Sequence, residues 1–527
     1  MSMTPVATVP EMVARAEARA ADAPAVVSGD RTWTYAALGR RSRRFAAGLL
    51  ARGIRPGDRV AVWAPNSPEW IISYVGLIQA GAVLVPVNTR WLGSEAAGIL
   101  ARSRAKALVT VTDFLGQDFL ARLDGQDEPL PDLSVRIVID GPVPAGATAW
   151  ADVASGGTDP DLAEVDRRSA AVRAEDPCDI LFTSGTTGVP KGVVMTHSRT
   201  LCVATDWVAM TGLGPGDRYL MVNPYFHMFG LKAGILASVA AGATMYPEPV
   251  FDVDRALARV EAAGVTVLPG PPTLYQSILD HPDRKRFDLS SLRVAVTGSA
   301  DIPVELIRRI GEELPFSTIV SGYGLTEAGT ASSTGPDDEF EAVATTVGRP
   351  RPGFEIRMVD GAGDDVAMGD TGEILLRGPS VMSHYLDDPA ATAEALSAEG
   401  WLRTGDLGAW DDAGRLRIVG RVKDMYIVGG FNVYPAEVEN ALLGHPDVAQ
   451  VAVIGVPDPR MGEVGKAFVV LRPGAAAGEA GTGILAWARD RMANYKVPRS
   501  IEVLDRLPLN AAGKVEKHTL GTPADPQ

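Results

Sequence analysis

The chain has 527 residues, with 50 Lys plus Arg against 65 Asp plus Glu, a formal net charge of −15, 46% apolar residues and 22% charged ones. This balance excludes a general nucleic-acid or anionic-membrane binder, and the length calls for several folding units rather than one core. Two cysteines, Cys178 and Cys202, make neither a disulfide framework nor a zinc site, and no basic-then-apolar leader opens the sequence, so a cytoplasmic setting is expected.

In chain order, EMVARAEARAAD and TYAALGRRSRRFAAGLLARG have helical periodicity, the second ended by Gly53. DRVAVWAP then reads as a strand, EWIISYVGLIQAG as a helix and AVLVPV as a strand. Such alternation predicts βαβ units and a mainly parallel sheet. DILF leads as a strand into a glycine-rich loop, and HSRTLCVATDWVAM follows as a helix. RYLMVNP, ATMYP, VTVLPG and LRVAVTGSA continue as strands, with FGLKAGILASVAAG and ALARVEAAG as helices between them. The longest apolar runs, Tyr74–Val87 and Gly234–Tyr246, fall short of the roughly 20 residues that span a bilayer, so no stable membrane insertion is expected.

From about residue 345 the pattern changes to short strands separated by Asp/Gly turns, among them GFEIRMVD, GEILLRGPSVMSHYL and GRLRIVG. This predicts an antiparallel β subdomain over about 345–420. AEVENALLGHPDVAQVAVIGVPD, KAFVVLRP and ILAWARDRMANYKVP then predict a small α+β unit. The expected fold class is α/β, with a large N-terminal domain over 1–420 and a small C-terminal domain over 421–527.

The stretch LFTSGTTGVPKGVVMTH carries the strongest local chemistry. Gly185 and Gly188 let backbone N–H groups approach an anion. Thr183, Ser184, Thr186 and Thr187 supply hydroxyls, and Lys191 supplies charge. The spacing is not that of the P-loop, because Val-Pro-Lys follows Gly188 and Gly192 follows Lys191. By composition alone the loop is either an anion cradle or an exposed surface loop.

Four further stretches decide between these. SGTTGVPKGV, YGLTEAG (Tyr323–Gly329), WLRTGDLG (Trp401–Gly408), GRVKDMYIVGGFNVYPAEVE (Gly420–Glu439) and NAAGKVEK (Asn510–Lys517) occur in this order over more than 300 residues. Together they resemble the five signatures of the acyl-adenylate-forming superfamily, which includes acyl-CoA ligases, peptide-synthetase adenylation domains and luciferase-like enzymes. VTVLPGPPTLYQSILDHPDRKRFDLSSLRVAVTGSA and KDMYIVGGFNVYPAEVENAL further resemble actinobacterial acyl-CoA ligases, including those acting on ring-bearing propanoates from sterol breakdown.

The resemblance implies a reaction: a carboxylic acid and ATP form an acyl-adenylate with loss of pyrophosphate, and the acyl group then passes to a thiol. It also implies ATP, Mg²⁺ and coenzyme A as the small molecules involved. The ATP site would comprise the loop residues Thr183–Gly188 and Lys191. Gly298, Ser299 and Ala300 would form a wall, with Ser321, Gly322, Tyr323 and Gly324 beside the adenine. Thr326 would face the α-phosphate, Glu327 would ligate the metal, and Asp406 and Arg421 would hold the ribose. Lys514 would bridge carboxylate and α-phosphate as the adenylating lysine.

For the acid, the resemblance implies a pocket of His227, Phe229, Gly230, Gly234, Gly298, Ala328 and Gly329, with His227 at an aromatic gate. Small and apolar residues there, with no Asp for an amino group and no Arg for a second carboxylate, favour a neutral apolar acid. Lys423 would mark the hinge of a mobile C-terminal domain, and Gly429 and Gly430 would line the CoA path. A stand-alone enzyme loading a carrier-protein thiol is the alternative, and a non-catalytic nucleotide-binding relative is a third reading. No carrier-type GxxS unit follows Lys517, which favours free CoA. Ser383-His384, where relatives carry a small residue and glycine, is expected to alter only a surface turn. A homodimer is implied at the family level.

Overall fold

Helix starts follow their sequence signals. Thr34 and Ser67 accept hydrogen bonds from the backbone N–H of Ala37 and Trp70, and so cap the helices Tyr35–Ala51 and Pro68–Gln79. Pro68 sits in the first turn of its helix, where its missing N–H costs nothing. A computed structural model describes residues 6–183, 190–298, 304–429, 431–475, 477–509 and 515–520. The expected Ser184, Gly185, Thr186, Thr187, Gly188, Ser299, Ala300, Gly430 and Lys514 lie outside the described residues.

Among the described residues the strands form four sheets. An eight-stranded sheet carries Thr148–Ala149, Val135–Val138, Ala107–Thr110, Arg59–Trp63, Val83–Pro86 and Pro177–Thr183 in parallel. A nine-stranded sheet runs parallel from Pro24–Ser28 to Thr318–Leu325, and Gly329–Ser333 folds back antiparallel on the latter, with Arg349–Pro350 beyond it. Strands such as Val83–Pro86 and Ala107–Thr110 are buried at every residue, which is why they read as continuous apolar runs. A four-stranded antiparallel sheet, Glu355–Val359, Gly372–Arg377, Leu402–Trp410 and Leu416–Arg421, matches the Asp/Gly-punctuated segments. The fourth sheet and its helices, from Tyr426 to Val503, share a core of their own around Tyr426, Val438, Leu442, Val453 and Ile484.

Three details depart from the sequence expectation. Lys191–Thr196 is a strand paired antiparallel to Pro177–Thr183, so the glycine loop joins two strands of a hairpin rather than a strand and a helix. Its β-branched Val193 and Val194 and its buried face suit a strand, and the helix begins only at His197. The segment predicted as one helix from Phe229 contains a π-helical stretch, Leu231–Leu236, between short α-helical pieces. Finally, His384–Tyr385 is not a surface turn but an edge strand on Lys191–Thr196, with His384 opposite Val194 and Tyr385 opposite Val193. His384 is exposed while Tyr385 points inward, the alternation a strand imposes. No helix among the described residues is long and apolar enough to cross a membrane.

Candidate functional site

The site gathers where parallel strands end, the place open α/β sheets leave for ligands. Thr183 and Lys191 are register partners at the mouth of the hairpin, and the Thr183 hydroxyl donates to the Lys191 carbonyl at 3.4 Å. The two ends of the glycine loop are therefore held together by backbone pairing. Beneath them, Asp179 on the same strand is fully buried and pairs with Lys232 of the π-helical stretch, also fully buried, at 2.9 Å. The two atoms are close but not aligned as a hydrogen bond, so charge holds them. The Thr200 hydroxyl donates to the other Asp179 oxygen at 2.6 Å. One carboxylate thus ties the loop-leading strand to the helix His197–Thr211 and to the π-helical stretch.

Tyr323, Asp406 and Arg421 come together from three separate strands. The Tyr323 hydroxyl donates to Asp406 Oδ2 at 2.7 Å, and Arg421 Nε lies 2.8 Å from Asp406 Oδ1. Asp406 and Arg421 are direct partners across adjacent antiparallel strands, so register sets their meeting. Burial, and then the Asp406 charge, raise the Tyr323 hydroxyl pKa well above its ordinary value. The phenol therefore stays protonated and keeps donating. Arg421 keeps nearly half of its side chain in solvent, at 47% exposure, and remains within reach of a bound ligand.

Glu327 is half-buried, and burial raises its carboxyl pKa. Its Oε1 accepts from the Tyr385 hydroxyl at 3.0 Å. The Lys191 ammonium lies 5.0 Å above the centre of the Tyr385 ring. Tyr385 thus touches both ends of the predicted phosphate machinery, although sequence reasoning passed over it. Thr326 is half-buried beside Glu327. Among the described residues no group of three or more His, Cys, Asp or Glu is placed to hold a metal ion. A lone carboxylate such as Glu327 fits a Mg²⁺ whose other ligands are phosphate oxygens and water.

Next to Gly322, Tyr323 and Gly324 lies a cavity of ≈ 50 Å³. Val203, Trp207 and Met210 supply one wall from a single helical face, and Met228, Phe229 and Ala233 supply another. Thr297 and Gly298 close its floor at the end of a parallel strand. Trp207 and Phe229 pack edge to face at 5.3 Å. The lining is mostly apolar, with Thr297, Tyr323 and Thr330 as its hydroxyl-bearing residues, and holds no charged side chain among the described residues.

Of the residues proposed for the acid pocket, Phe229 and Gly298 line this cavity, while His227, Gly230, Gly234, Ala328 and Gly329 are placed next to other groups. His227 is half-buried and accepts the Phe229 N–H at its Nδ1, capping a short helix. A Cβ on Gly230 would sit 2.2 Å from the Pro224 carbonyl oxygen, so this glycine serves backbone packing. Gly234 abuts the Met221 methyl group. Gly329 has φ +74, and a Cβ there would meet Val203 at 2.5 Å behind the cavity wall. Ala328 is fully buried, and its carbonyl accepts from Ser380. The residues that sequence reasoning missed, Val203, Trp207 and Met210, lie in the helix after the hairpin; their i, i+4, i+7 spacing was the available signal. Lys423 lies in the exposed turn after Arg421, and Gly429, with φ +55, ends the strand Tyr426–Val428.

Comparison with known proteins identifies the family. The AMP-binding enzyme profile matches residues 13–386, and the profile of its C-terminal domain matches residues 437–514. The chain is 47% identical over 518 residues to a (7a-methyl-1,5-dioxo-octahydro-1H-inden-4-yl)propanoyl:CoA ligase of Rhodococcus jostii strain RHA1, covering 97% of this chain and 98% of the relative. It is 49% identical over 514 residues to the Mycobacterium tuberculosis protein of the same name, with the same coverage of 97% and 98%. A feruloyl-CoA synthase of Amycolatopsis is 39% identical, covering 94% of each chain. Among solved structures, the anthranilate CoA ligase AuaEII with anthranoyl-AMP superposes with a TM-score of 0.90 at 29% identity, over 98% of this chain and 97% of that one. The chain belongs to the AMP-binding enzyme family, in its acyl-CoA ligase branch.

Proposed function

We propose that this chain is an AMP-forming acyl-CoA ligase for a neutral, ring-bearing propanoate, working on ATP with Mg²⁺ and coenzyme A in the cytoplasm. The observation that carries the reading is the uncharged aromatic cavity beside Tyr323, whose hydroxyl is locked to the Asp406–Arg421 pair. A cavity without a charged side chain selects against amino acids and dicarboxylates, since a buried unpaired charge is expensive. Two relatives named for a fused-ring propanoate, at 47% and 49% identity, support a bulky alicyclic tail.

In this reading an acid carboxylate oxygen attacks the α-phosphorus of ATP, and pyrophosphate leaves. Lys514 holds the two mutually repelling anions together, and Thr326 donates to the α-phosphate. Thr183, the loop Ser184–Gly188 and Lys191 hold the departing pyrophosphate end. Tyr323 packs against adenine, walled by Gly298, Ser299, Ala300 and the Ser321–Gly324 strand end. Asp406 and Arg421 exchange hydrogen bonds with the ribose. Glu327 would hold a Mg²⁺, which would shield the triphosphate charge. The thiol sulfur of CoA then attacks the acyl carbon, and AMP leaves. His227 flanks the gate as a positioning residue. The 421–527 domain turns about Lys423 between the steps, bringing Gly429 and Gly430 to the pantetheine arm.

The test is a panel of carboxylic acids with ATP, Mg²⁺ and CoA, following pyrophosphate release and acyl-CoA by mass. Alicyclic propanoates are expected to give the highest kcat/KM. Acyl-AMP accumulating in the presence of CoA overturns the CoA-ligase reading in favour of a carrier-protein thiol.

A further inference from the structure

Tyr385 touches both Lys191 and Glu327. Its ring carries the Lys191 ammonium at 5.0 Å from the centroid, and its hydroxyl donates to Glu327 Oε1 at 3.0 Å. The residue is 7% exposed and is held from two sides. Its backbone pairs with Val193 on the strand that starts at Lys191, and its own N–H donates to the Thr392 hydroxyl at 3.0 Å. The Glu327 carbonyl accepts from Met382 N–H, three residues before Tyr385. Edge strand, return strand and Glu327 therefore form one hydrogen-bonded unit.

A cation and a carboxylate that share one anion-binding site face a physical problem when that site is empty. Nothing but solvent stops them from pairing with each other, and a direct pair must be broken before a ligand binds. Among the described residues Lys191 has no carboxylate within ion-pair distance, Glu327 included. Tyr385 supplies each with a substitute: a π face for the cation and a phenol O–H for the anion.

We infer that Tyr385 is a positioning residue for the magnesium–triphosphate end of ATP, keeping Lys191 and Glu327 apart and aimed in the empty site. The inference rests on the reading of Lys191 and Glu327 as groups that serve that end. AMP has neither the pyrophosphate nor its metal, so AMP binding does not depend on Tyr385.

The experiment is calorimetric titration of the full chain with ATP at several Mg²⁺ concentrations, and with AMP, in the absence of acid. Tyr385→Phe keeps the ring and removes only the hydroxyl. A hydrogen bond to a charged group is worth enough for about a tenfold weakening of MgATP binding. AMP affinity is expected to stay within about twofold and the melting temperature to stay unchanged. Tyr385→Leu removes both seats and weakens MgATP further. Glu327→Gln tests the underlying reading separately: wild-type MgATP affinity in that variant removes Glu327 from the metal site, and the inference falls with it. If Glu327→Gln weakens MgATP, the double variant Tyr385→Phe/Glu327→Gln is expected to be no weaker than Glu327→Gln alone, because the hydroxyl acts through that carboxylate. MgATP affinity unchanged in Tyr385→Phe, equal loss for AMP, or full additivity in the double variant each overturns the role of Tyr385.

Discussion

Replacing Lys232 by Met isolates the energetics of the buried Asp179–Lys232 pair. Both side chains of the pair are 0% exposed, and the charged atoms stand 2.9 Å apart. At an effective dielectric of about 20 their attraction is about 6 kcal/mol, which offsets a desolvation cost of several kcal/mol per ion. Methionine matches the lysine stem in length, so packing is kept while the cation is lost. Asp179 then remains buried with the Thr200 hydroxyl as its polar partner, and the expected loss of stability is about 3–5 kcal/mol. The double variant Asp179→Asn/Lys232→Met buries no charge, and it is expected to recover most of that loss. Equilibrium urea unfolding reads both values through tryptophan fluorescence, since Trp63 and Trp70 are fully buried in the same core. A Lys232→Met protein within about 1 kcal/mol of wild type, or a double variant less stable than the single, refutes the reasoning.

Other predictions concern the chemistry, the cavity and pH. Lys514→Ala is expected to abolish acyl-AMP formation while sparing thioester formation from supplied acyl-AMP; survival of both half-reactions removes Lys514 from adenylation. Ala233→Phe pushes an aromatic ring into the cavity from the π-helical wall. It is expected to raise KM for ring-bearing acids at least about tenfold and to leave short straight acids nearly unaffected, read from steady-state kinetics across both classes. His197 is 2% exposed, and burial lowers its pKa to about 4. Its Nδ1 accepts the Val9 N–H, which requires the neutral ring. The folded state therefore binds fewer protons than the unfolded one between the ordinary histidine value and about 4, and stability falls as pH falls through that window. The contribution is about 3 kcal/mol, and His197→Gln is expected to flatten the stability profile there, measured by urea unfolding at stepped pH.

Much of this protein was determined by its sequence alone, and the reason is local. Capping Thr34 and Ser67, the apolar periods of the N-terminal helices and the Asp/Gly turns after residue 345 act over a few residues, so helices, strands and the antiparallel sheet could be read directly. The five spaced signatures likewise identified the chemistry before any contact was seen. What sequence did not determine depends on partners far apart in the chain. Lys232 reads as a stray charge in an apolar run until folding brings it to Asp179, 53 residues earlier by the numbering of the pair. Tyr323 meets Asp406 across a separation of 83 residues, and the register between two antiparallel strands then delivers Arg421. Gly230 reads as open space near His227, yet the backbone turns it against the Pro224 carbonyl, and Val203, Trp207 and Met210 line the cavity instead. Residue type shows what a side chain can do, while the direction in which it points follows from sheet register and helix packing. Only the tertiary structure sets those, because they are fixed by contacts between segments with no local trace of one another.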